Sequence, residues 1–237
     1  MKKFVIYLLL LSFVSLSYSQ RFRSYCQTDT ITIVKDSMDY SLITYKPINC
    51  NVILTAIRPD TAATDIFFAA PAAFTAKNYK EIVGRFVGID TVIANTTENE
   101  TGLCSLSGDQ AYIGPISDSL MYYYHAVQDE NECYFQQMLL IYNEQKVECK
   151  IFGKQKPTFR RALAIRDGEL LVIESLNRMN IGDFTDMMIE IGCTDAIYMD
   201  MGTWSEGFFI NNKGERITIG ALRQNTKHQT NWIEFRK

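Results

Sequence analysis

The chain has very little histidine: His125 and His228 are the only two among 237 residues, and they lie far apart in the sequence. Neither belongs to an HExxH motif, and the cysteines form no CxxC motif. Close pairs of this kind supply the ligands of most zinc sites and the thiols of redox motifs. The sequence therefore predicts no histidine- or thiolate-bound zinc site, and no cofactor is expected.

An excess of positive charge is also lacking. The chain has 24 Lys and Arg against 27 Asp and Glu, which gives a net charge of −3. Such a chain lacks the broad positive field that attracts phosphate backbones, so nucleic acid is not expected as a partner. With 47% hydrophobic and 22% charged residues, the composition is that of an ordinary globular protein.

Long hydrophobic runs are absent apart from one at the N-terminus. Lys2 and Lys3 precede the apolar run Phe4–Val14, and Ser17-Tyr18-Ser19 places small residues at positions −3 and −1 before Gln20. This pattern predicts a signal peptide over residues 1–19, and the alternative of a membrane anchor needs about 20 apolar residues. We therefore expect an exported protein, periplasmic or extracellular, without a transmembrane segment after cleavage.

Six cysteines remain after such cleavage: Cys26, Cys50, Cys104, Cys133, Cys149 and Cys193. Export and an even number of cysteines favour one or two disulfides, with the pairing left open. The alternative is that several are buried free thiols that pack as small apolar groups.

Repeats and long Pro, Gly or Ser linkers are lacking too, so residues 20–237 are expected to form one domain. Short apolar or β-branched runs predict strands in the first two-thirds, and the polar stretch Asn95–Gly108 is interpreted as a surface loop. The runs are Thr30–Val34, Leu42–Tyr45, Val52–Ile57, Ile66–Ala70, Met121–Val127 and Tyr134–Tyr142. The predicted fold class is α+β, with a mixed or antiparallel sheet core flanked by a few helices.

The last third has clearer local signals. Asp167-Gly168 between two apolar runs predicts a hairpin, and the apolar face of residues 183–191 predicts a helix that begins at Asp183 and exits at Gly192. Ala196–Met199 then predicts a buried strand that ends at Asp200. The segments that follow predict a loop, a hairpin and a closing strand: Met201–Gly207, Phe208–Ile210 with Arg216–Ile219, and Asn231–Arg236.

These segments carry a resemblance to a known family. Arg160–Ala164, the Asp-Gly hairpin, the helix that ends in glycine and the sequence AIYMDMGTWS at residues 196–205 resemble the phosphodiester glycosidase family, in particular its bacterial envelope members. The last element of that family reads A-x-x-L-D-G-G-G-S, so Met201 and Thr203 replace two glycines here. Upstream, Phe67–Thr75 stands where relatives carry an N-G-G-F segment.

The resemblance implies hydrolysis of the bond between an anomeric carbon and a phosphodiester oxygen. It makes Asp200 the catalytic carboxylate and Arg161 the residue that binds the phosphate. The alternative for Asp200 is a structural aspartate that binds loop N–H groups. Adjacent strand residues face opposite sides, so only one of Arg160 and Arg161 can reach the site, and surface positions are the alternative for both.

Further residues are expected to bind the substrate: Arg160, Gly202, Thr203, Trp204, Ser205 and Glu206. The alternative for Thr203 and Ser205 is that they are exposed loop residues without a ligand. The alternative for Trp204 is a half-buried position in the core. Glu206 near Asp200 would also suit a divalent cation, which the sequence does not by itself predict.

Two functions are therefore consistent with the sequence. The first is an exported hydrolase that cleaves a sugar-1-phosphodiester in envelope or host glycans, with a carbohydrate or sugar-phosphate ligand. The alternative is a catalytically inactive glycan-binding or structural envelope protein on the same fold, which the loss of the two loop glycines favours.

Overall fold

A computed structural model of the protein describes residues 23–35, 37–75, 82–93, 101–108, 110–116, 132–148, 156–201, 206–220 and 226–237. Of these residues, 56% lie in strands and 8% in helices, and the sheets are antiparallel. The prediction of an α+β domain with a few helices is therefore wrong, because the fold is mostly β with one α-helix among the described residues. Antiparallel strands can be joined by tight hairpins, so such a sheet needs no helical crossovers.

Seventeen strands are described. They are β1 (Tyr25–Lys35), β2 (Met38–Ile48), β3 (Asn51–Thr55), β4 (Ile66–Pro71), β5 (Phe86–Val87), β6 (Val92–Ile93), β7 (Gly102–Ser107), β8 (Gln110–Pro115), β9 (Glu132–Gln137), β10 (Leu139–Tyr142), β11 (Gln145–Lys146), β12 (Arg161–Arg166), β13 (Glu169–Ser175), β14 (Cys193–Tyr198), β15 (Phe208–Ile210), β16 (Arg216–Thr218) and β17 (Trp232–Arg236). The helix α1 spans Ile181–Glu190, and a short 3-10 helix spans Thr226–His228.

The strands form three sheets. The first has seven strands in the order β1-β2-β13-β12-β14-β10-β11, the second has the order β16-β15-β4-β17-β3, and the third has the order β6-β5-β9-β7-β8. In the second sheet the closing strand β17 lies between β4 and β3, with Trp232 opposite Pro71 and Thr55. The C-terminal strand is thus an inner strand, which ties the end of the chain to its first third.

The core lies on both faces of the seven-stranded sheet. On one face, Phe184, Met187 and Met188 of α1 pack with Ala162 and Ala164 of β12. On the other face, residues of all three sheets share one apolar cluster, which includes Tyr45, Phe68, Phe135, Leu163 and Phe235. Because a strand presents alternate side chains to opposite faces, β12 supplies both clusters.

The local signals of the last third are mostly confirmed. Asp167 and Gly168 have φ values of 54° and 73°, the positive values that a type I′ hairpin turn requires. The helix exits at Gly192 with φ of 89°. Its start was predicted two residues too late, because Asn180 is the N-cap and its Oδ1 accepts the Asp183 N–H at 2.8 Å.

The interpretation of residues 95–108 as a surface loop is wrong for its second half. Residues 102–107 form β7, which pairs with both β8 and β9, and Leu103 and Cys104 are fully buried. The polar residues that dominated the interpretation lie before this strand, at positions 95–101. Small residues, Gly102, Cys104 and Ser105, are buried in this strand together with Leu103 and Leu106, so it lies between β8 and β9 without a continuous apolar run.

Cys26, Cys50, Cys104, Cys133 and Cys193 are free thiols, and no two of them lie at disulfide distance. The predicted one or two disulfides are therefore not found among the described cysteines. Burial raises the pKa of Cys50 and Cys133 to about 11 and that of Cys193 to about 12. These thiols serve as small apolar groups of the core.

Several predictions concern residues outside the described ranges, among them the signal peptide over 1–19, the run Met121–Val127, His125 and Cys149. In the part of the chain that is described, no helix is long and apolar enough to cross a membrane.

Candidate functional site

Asp200 stands where the sequence predicts it, two residues after the end of β14, and its side chain is buried. Its backbone N–H donates to the Ala72 carbonyl at 2.8 Å, which joins the end of β14 to the segment after β4. Its Oδ2 accepts the Thr75 N–H at 3.4 Å, and the Met201 N–H and the Gln229 side chain also bind the carboxyl group. The carboxyl group is thus surrounded by donors from three parts of the chain.

Burial raises the pKa of Asp200 from 3.8 to about 7. The hydrogen bonds from Thr75, Gln229 and Met201 and the positive charge of Arg161 act in the opposite direction and limit the increase. A carboxyl group with this pKa exchanges a proton readily at neutral pH, which is the property of a general acid or base.

The wall of the site comes from the segments that flank β4 and β17. Asn231 is completely buried and pairs with the backbone of Ala73: its Oδ1 accepts the Ala73 N–H at 2.7 Å and its Nδ2 donates to the Ala73 carbonyl at 2.9 Å. The hydroxyl groups of Thr75 and Thr230 lie 3.2 Å apart. The ends of β4, β14 and β17 therefore meet at Asp200.

Sequence reasoning missed the roles of Gln229, Asn231 and the two threonines. Thr75 belongs to the segment Phe67–Thr75 that the family resemblance includes, but no short motif marks these four side chains as neighbours of Asp200. They come together because β17 pairs with β4, which lies about 160 positions earlier in the chain. Pairings at that separation leave no local pattern.

Arg161 is completely buried between Asp200 and Glu174. Its Nε donates to Glu174 Oε1 at 2.6 Å, its Nη1 to the Asp200 carbonyl at 3.1 Å, and its Nη2 to the Glu206 carbonyl at 3.4 Å. The other carboxylate oxygen of Glu174 accepts the Tyr45 hydroxyl at 3.2 Å. Arg161 thus holds the carbonyl groups on either side of residues 201–205, and the surface alternative for it is wrong.

Arg160 is buried on the opposite side of the strand. Its Nε donates to the Met179 carbonyl at 3.1 Å, its Nη1 to the Tyr198 hydroxyl at 2.9 Å, and its Nη2 to the Lys156 carbonyl at 3.3 Å. The geometry therefore brings only Arg161 to Asp200, as alternation along a strand requires.

Glu206 is buried and pairs with Arg58, a residue that sequence reasoning did not select. Arg58 Nη1 lies 2.8 and 2.9 Å from the two carboxylate oxygens of Glu206, and its guanidinium group lies 5.0 Å from the centre of the Trp232 ring. These residues border a small cavity of about 100 Å³. The carboxylate of Glu206 is thus neutralised by Arg58, and the described residues hold no cluster of three or more potential metal ligands.

Four of the predicted substrate-binding residues, Gly202, Thr203, Trp204 and Ser205, lie outside the described ranges. Arg161 holds the backbone carbonyl groups of Asp200 and Glu206, which flank residues 201–205. What the structure brings together around Asp200 is therefore Arg161, Thr75 and Gln229.

Comparison with known proteins gives a likeness of fold. No family model matches the chain, and no curated protein matches it in sequence. The chain is similar in structure to the catalytic domain of zebrafish N-acetylglucosamine-1-phosphodiester α-N-acetylglucosaminidase in a form auto-inhibited by its pro-peptide. The TM-score is 0.66 at 12% identity, over 90% of this chain and 83% of that one.

A second solved structure, a hypothetical protein from Synechocystis, matches with a TM-score of 0.56 at 10% identity, over 90% of this chain and 62% of the other. Identities this low establish the fold alone, since one fold hosts many activities. The fold of the chain is thus similar to that of the zebrafish glucosaminidase domain.

Proposed function

We propose that the protein is a hydrolase of the phosphodiester glycosidase type, which cleaves a sugar-1-phosphodiester and uses Asp200 as its acid–base group. The observation that carries this proposal is the carboxyl group of Asp200, buried where three strand ends meet, with a pKa of about 7. The similarity of the fold to a sugar-phosphodiester hydrolase supports the class of substrate.

The proposed reaction is the attack of water on the anomeric carbon. The carbon–oxygen bond to the phosphate breaks, and its electron pair leaves on the phosphate oxygen. The Asp200 carboxylate takes a proton from the attacking water and returns it to the solvent, and the products are a free sugar and a phosphate monoester. Phosphate leaves more readily than an alcohol, so one carboxylate supplies most of the acid–base chemistry that two share in ordinary glycosidases.

In this proposal Arg161 is a positioning residue. Each of its guanidinium nitrogens donates to an atom of the chain, including the Asp200 carbonyl. Direct binding of the ligand phosphate, the role that the resemblance implies, would require the ion pair with Glu174 to open. Residues 202–205 and Glu206 remain the proposed substrate-binding segment, together with the hydroxyl groups of Thr75 and Thr230, which lie beside the carboxyl group.

The site of bond cleavage tests this proposal. The mature protein is incubated in ¹⁸O-labelled water with a panel of α- and β-sugar-1-phosphodiesters. Mass spectrometry of the products is expected to show a phosphate monoester without the label, because the attack occurs at carbon. Label in the phosphate would identify a phosphodiesterase that attacks at phosphorus, and the proposed reaction would then be wrong.

One observation favours the alternative of a glycan-binding protein that does not cleave. The guanidinium nitrogens of both motif arginines are occupied by chain atoms, so neither arginine presents an unused nitrogen to a departing phosphate. In that case sugar-1-phosphates should raise the melting temperature while no ligand in the panel is hydrolysed.

We further propose that the protein acts outside the cytoplasm, on envelope or host glycans. The support is the N-terminal pattern of Lys2, Lys3, the apolar run and Ser19. Mass spectrometry of the protein after expression with its own N-terminus is expected to show Gln20 as the first residue. A protein that keeps residues 1–19 in the cytoplasm would contradict this proposal.

A further inference from the structure

A cavity of about 300 Å³ lies between the first and second sheets, beside the candidate site. Ile43 of β2 lines it on one side, Phe209 and Ile217 of β15 and β16 line it on the other, and Phe159 and Met201 also contribute to the wall. This volume is at the lower end of the range found for small-molecule sites. The side chains just named are all apolar.

The buried polar groups of the cavity wall already have partners within the chain. Glu174 is bound by Arg161 and by the Tyr45 hydroxyl, and the Ser175 hydroxyl oxygen accepts the Arg160 N–H at 2.7 Å. The charge of Glu174 is therefore balanced, and a charged ligand would gain no counter-ion from it. A ligand that complements this wall is a hydrocarbon, because burial of apolar surface is the interaction that the wall can offer.

Two apolar side chains lie on the rim of the cavity, beside the exposed Thr218. Leu176, directly after β13, is 47% exposed, and Ile217 on β16 is 39% exposed. Together they place apolar side chains of two different sheets in contact with solvent at the cavity. A hydrocarbon chain bound in the cavity would cover both of them.

The wall of the cavity contacts the candidate site through two residues. Met201, which lines it, is the residue directly after Asp200, and its N–H binds the Asp200 carboxyl group. Glu174 lines the cavity too, and it is joined to the Asp200 carbonyl through the guanidinium group of Arg161. The cavity wall is therefore linked to Asp200 directly through Met201 and indirectly through Arg161.

We propose that this cavity binds the alkyl chain of the substrate, so that the phosphodiester cleaved at Asp200 joins a sugar to a long-chain alcohol. This inference rests on the proposed function, because it identifies the aglycone of the same site. It names one occupant, an alkyl chain, which matches a largely apolar wall whose one carboxylate, Glu174, is paired with Arg161.

The test separates binding from turnover. Ethyl, butyl and octyl phosphate, each kept below its micelle concentration, are titrated into the mature protein by calorimetry. Affinity is expected to rise about fourfold for each methylene group that becomes buried. Octyl phosphate that binds no more tightly than ethyl phosphate would overturn the inference.

Two rim variants locate the binding. Ile217→Asp and Leu176→Asp each put a carboxylate beside the hydrocarbon chain, and each is expected to weaken octyl phosphate binding roughly tenfold or more while ethyl phosphate binding is unchanged. The matched control is Val34→Asp, which alters an equally apolar residue that is 70% exposed on β1. Because the two rim residues lie on different elements, one variant that fails to fold leaves the other as the test. Octyl phosphate affinity that is the same in the folded rim variants as in the control would overturn the inference.

Ethyl and octyl phosphodiesters of one sugar, assayed alongside the alkyl phosphates, distinguish failure of this inference from failure of the proposed function. Binding that depends on chain length, without hydrolysis of any sugar phosphodiester, would support the alkyl site and remove the proposed reaction. Hydrolysis of ethyl and octyl phosphodiesters of the same sugar with equal kcat/KM would support the reaction and overturn the alkyl site.

Discussion

At the scale of single residues, the carboxyl group of Asp200 couples the chemistry of the site to the stability of the protein. Its pKa is about 7 in the folded protein and 3.8 in an unfolded chain. Between these two values the folded state holds a proton that the unfolded state has lost. The contribution of Asp200 to stability is therefore fully present below about pH 4 and is lost as the pH rises through 7.

We predict that Asp200→Asn stabilises the protein at pH 8 by roughly 2–4 kcal/mol, because the amide removes a buried charge and keeps an oxygen for the Thr75 N–H. Urea denaturation at pH 8 measures the gain. Below pH 4 the variant and the wild type should be equally stable. Equal stability at pH 8 would show that the folded-state pKa of Asp200 is close to its ordinary value.

Glu234 is the matched control for this prediction. It is also buried, and its pKa is raised from 4.5 to about 7, chiefly by burial, but it lies on β17 away from the donors that surround Asp200. Glu234→Gln is expected to stabilise the protein at pH 8 in the same way and to leave turnover unchanged. A gain in stability shared by both variants, with activity lost only in Asp200→Asn, separates burial from catalysis.

At the scale of elements, the site depends on how Arg161 of β12 connects β13 to the chain after β14. The ion pair with Glu174 is completely buried, so removal of one partner leaves an uncompensated charge. The same arginine holds the Asp200 and Glu206 carbonyl groups. Stability and the geometry of the loop are therefore linked through one side chain.

We predict that Arg161→Met destabilises the protein by about 3–5 kcal/mol, and that Arg161→Met combined with Glu174→Leu recovers most of this loss. Denaturation of the two variants measures both effects. In the folded double variant kcat should fall while KM changes little, because the arginine positions the site without touching substrate. A rise in KM at unchanged kcat would instead assign Arg161 to the ligand phosphate.

Local sequence patterns predicted the elements that depend on neighbouring residues in the chain. The Asp-Gly turn, the apolar face of α1 and the short buried strand before Asp200 follow from spacing and turn chemistry. The strand β7 was missed because the polar residues before it dominated the stretch. The pairs Arg58–Glu206 and Asn231–Ala73 join residues about 150 positions apart, and no local pattern contains them.

At the scale of the whole molecule, the comparisons establish the fold but not the reaction. Structures at 10–12% identity place the chain in an architecture shared with a sugar-phosphodiester hydrolase. The predicted α+β class failed at this scale because the fold is set by which strands pair, and β17 joins β4 and β3 across most of the chain. The function therefore has to be established by experiments on Asp200 and its neighbours, because the fold alone does not determine it.

The measurement that tests the central claim most directly is the release of free sugar from sugar-1-phosphodiesters by the wild type, Asp200→Asn and Asp195→Asn side by side. Asp195 lies on the same strand, five residues before Asp200, and its carboxylate accepts the Asn143 N–H at 3.0 Å, so it controls for the loss of a hydrogen-bonded carboxylate outside the site. We expect the wild type and Asp195→Asn to release sugar, with a rate that rises as the pH passes 7, and Asp200→Asn to lose at least roughly a hundredfold in kcat. Release of sugar by Asp200→Asn at the wild-type rate would contradict the account.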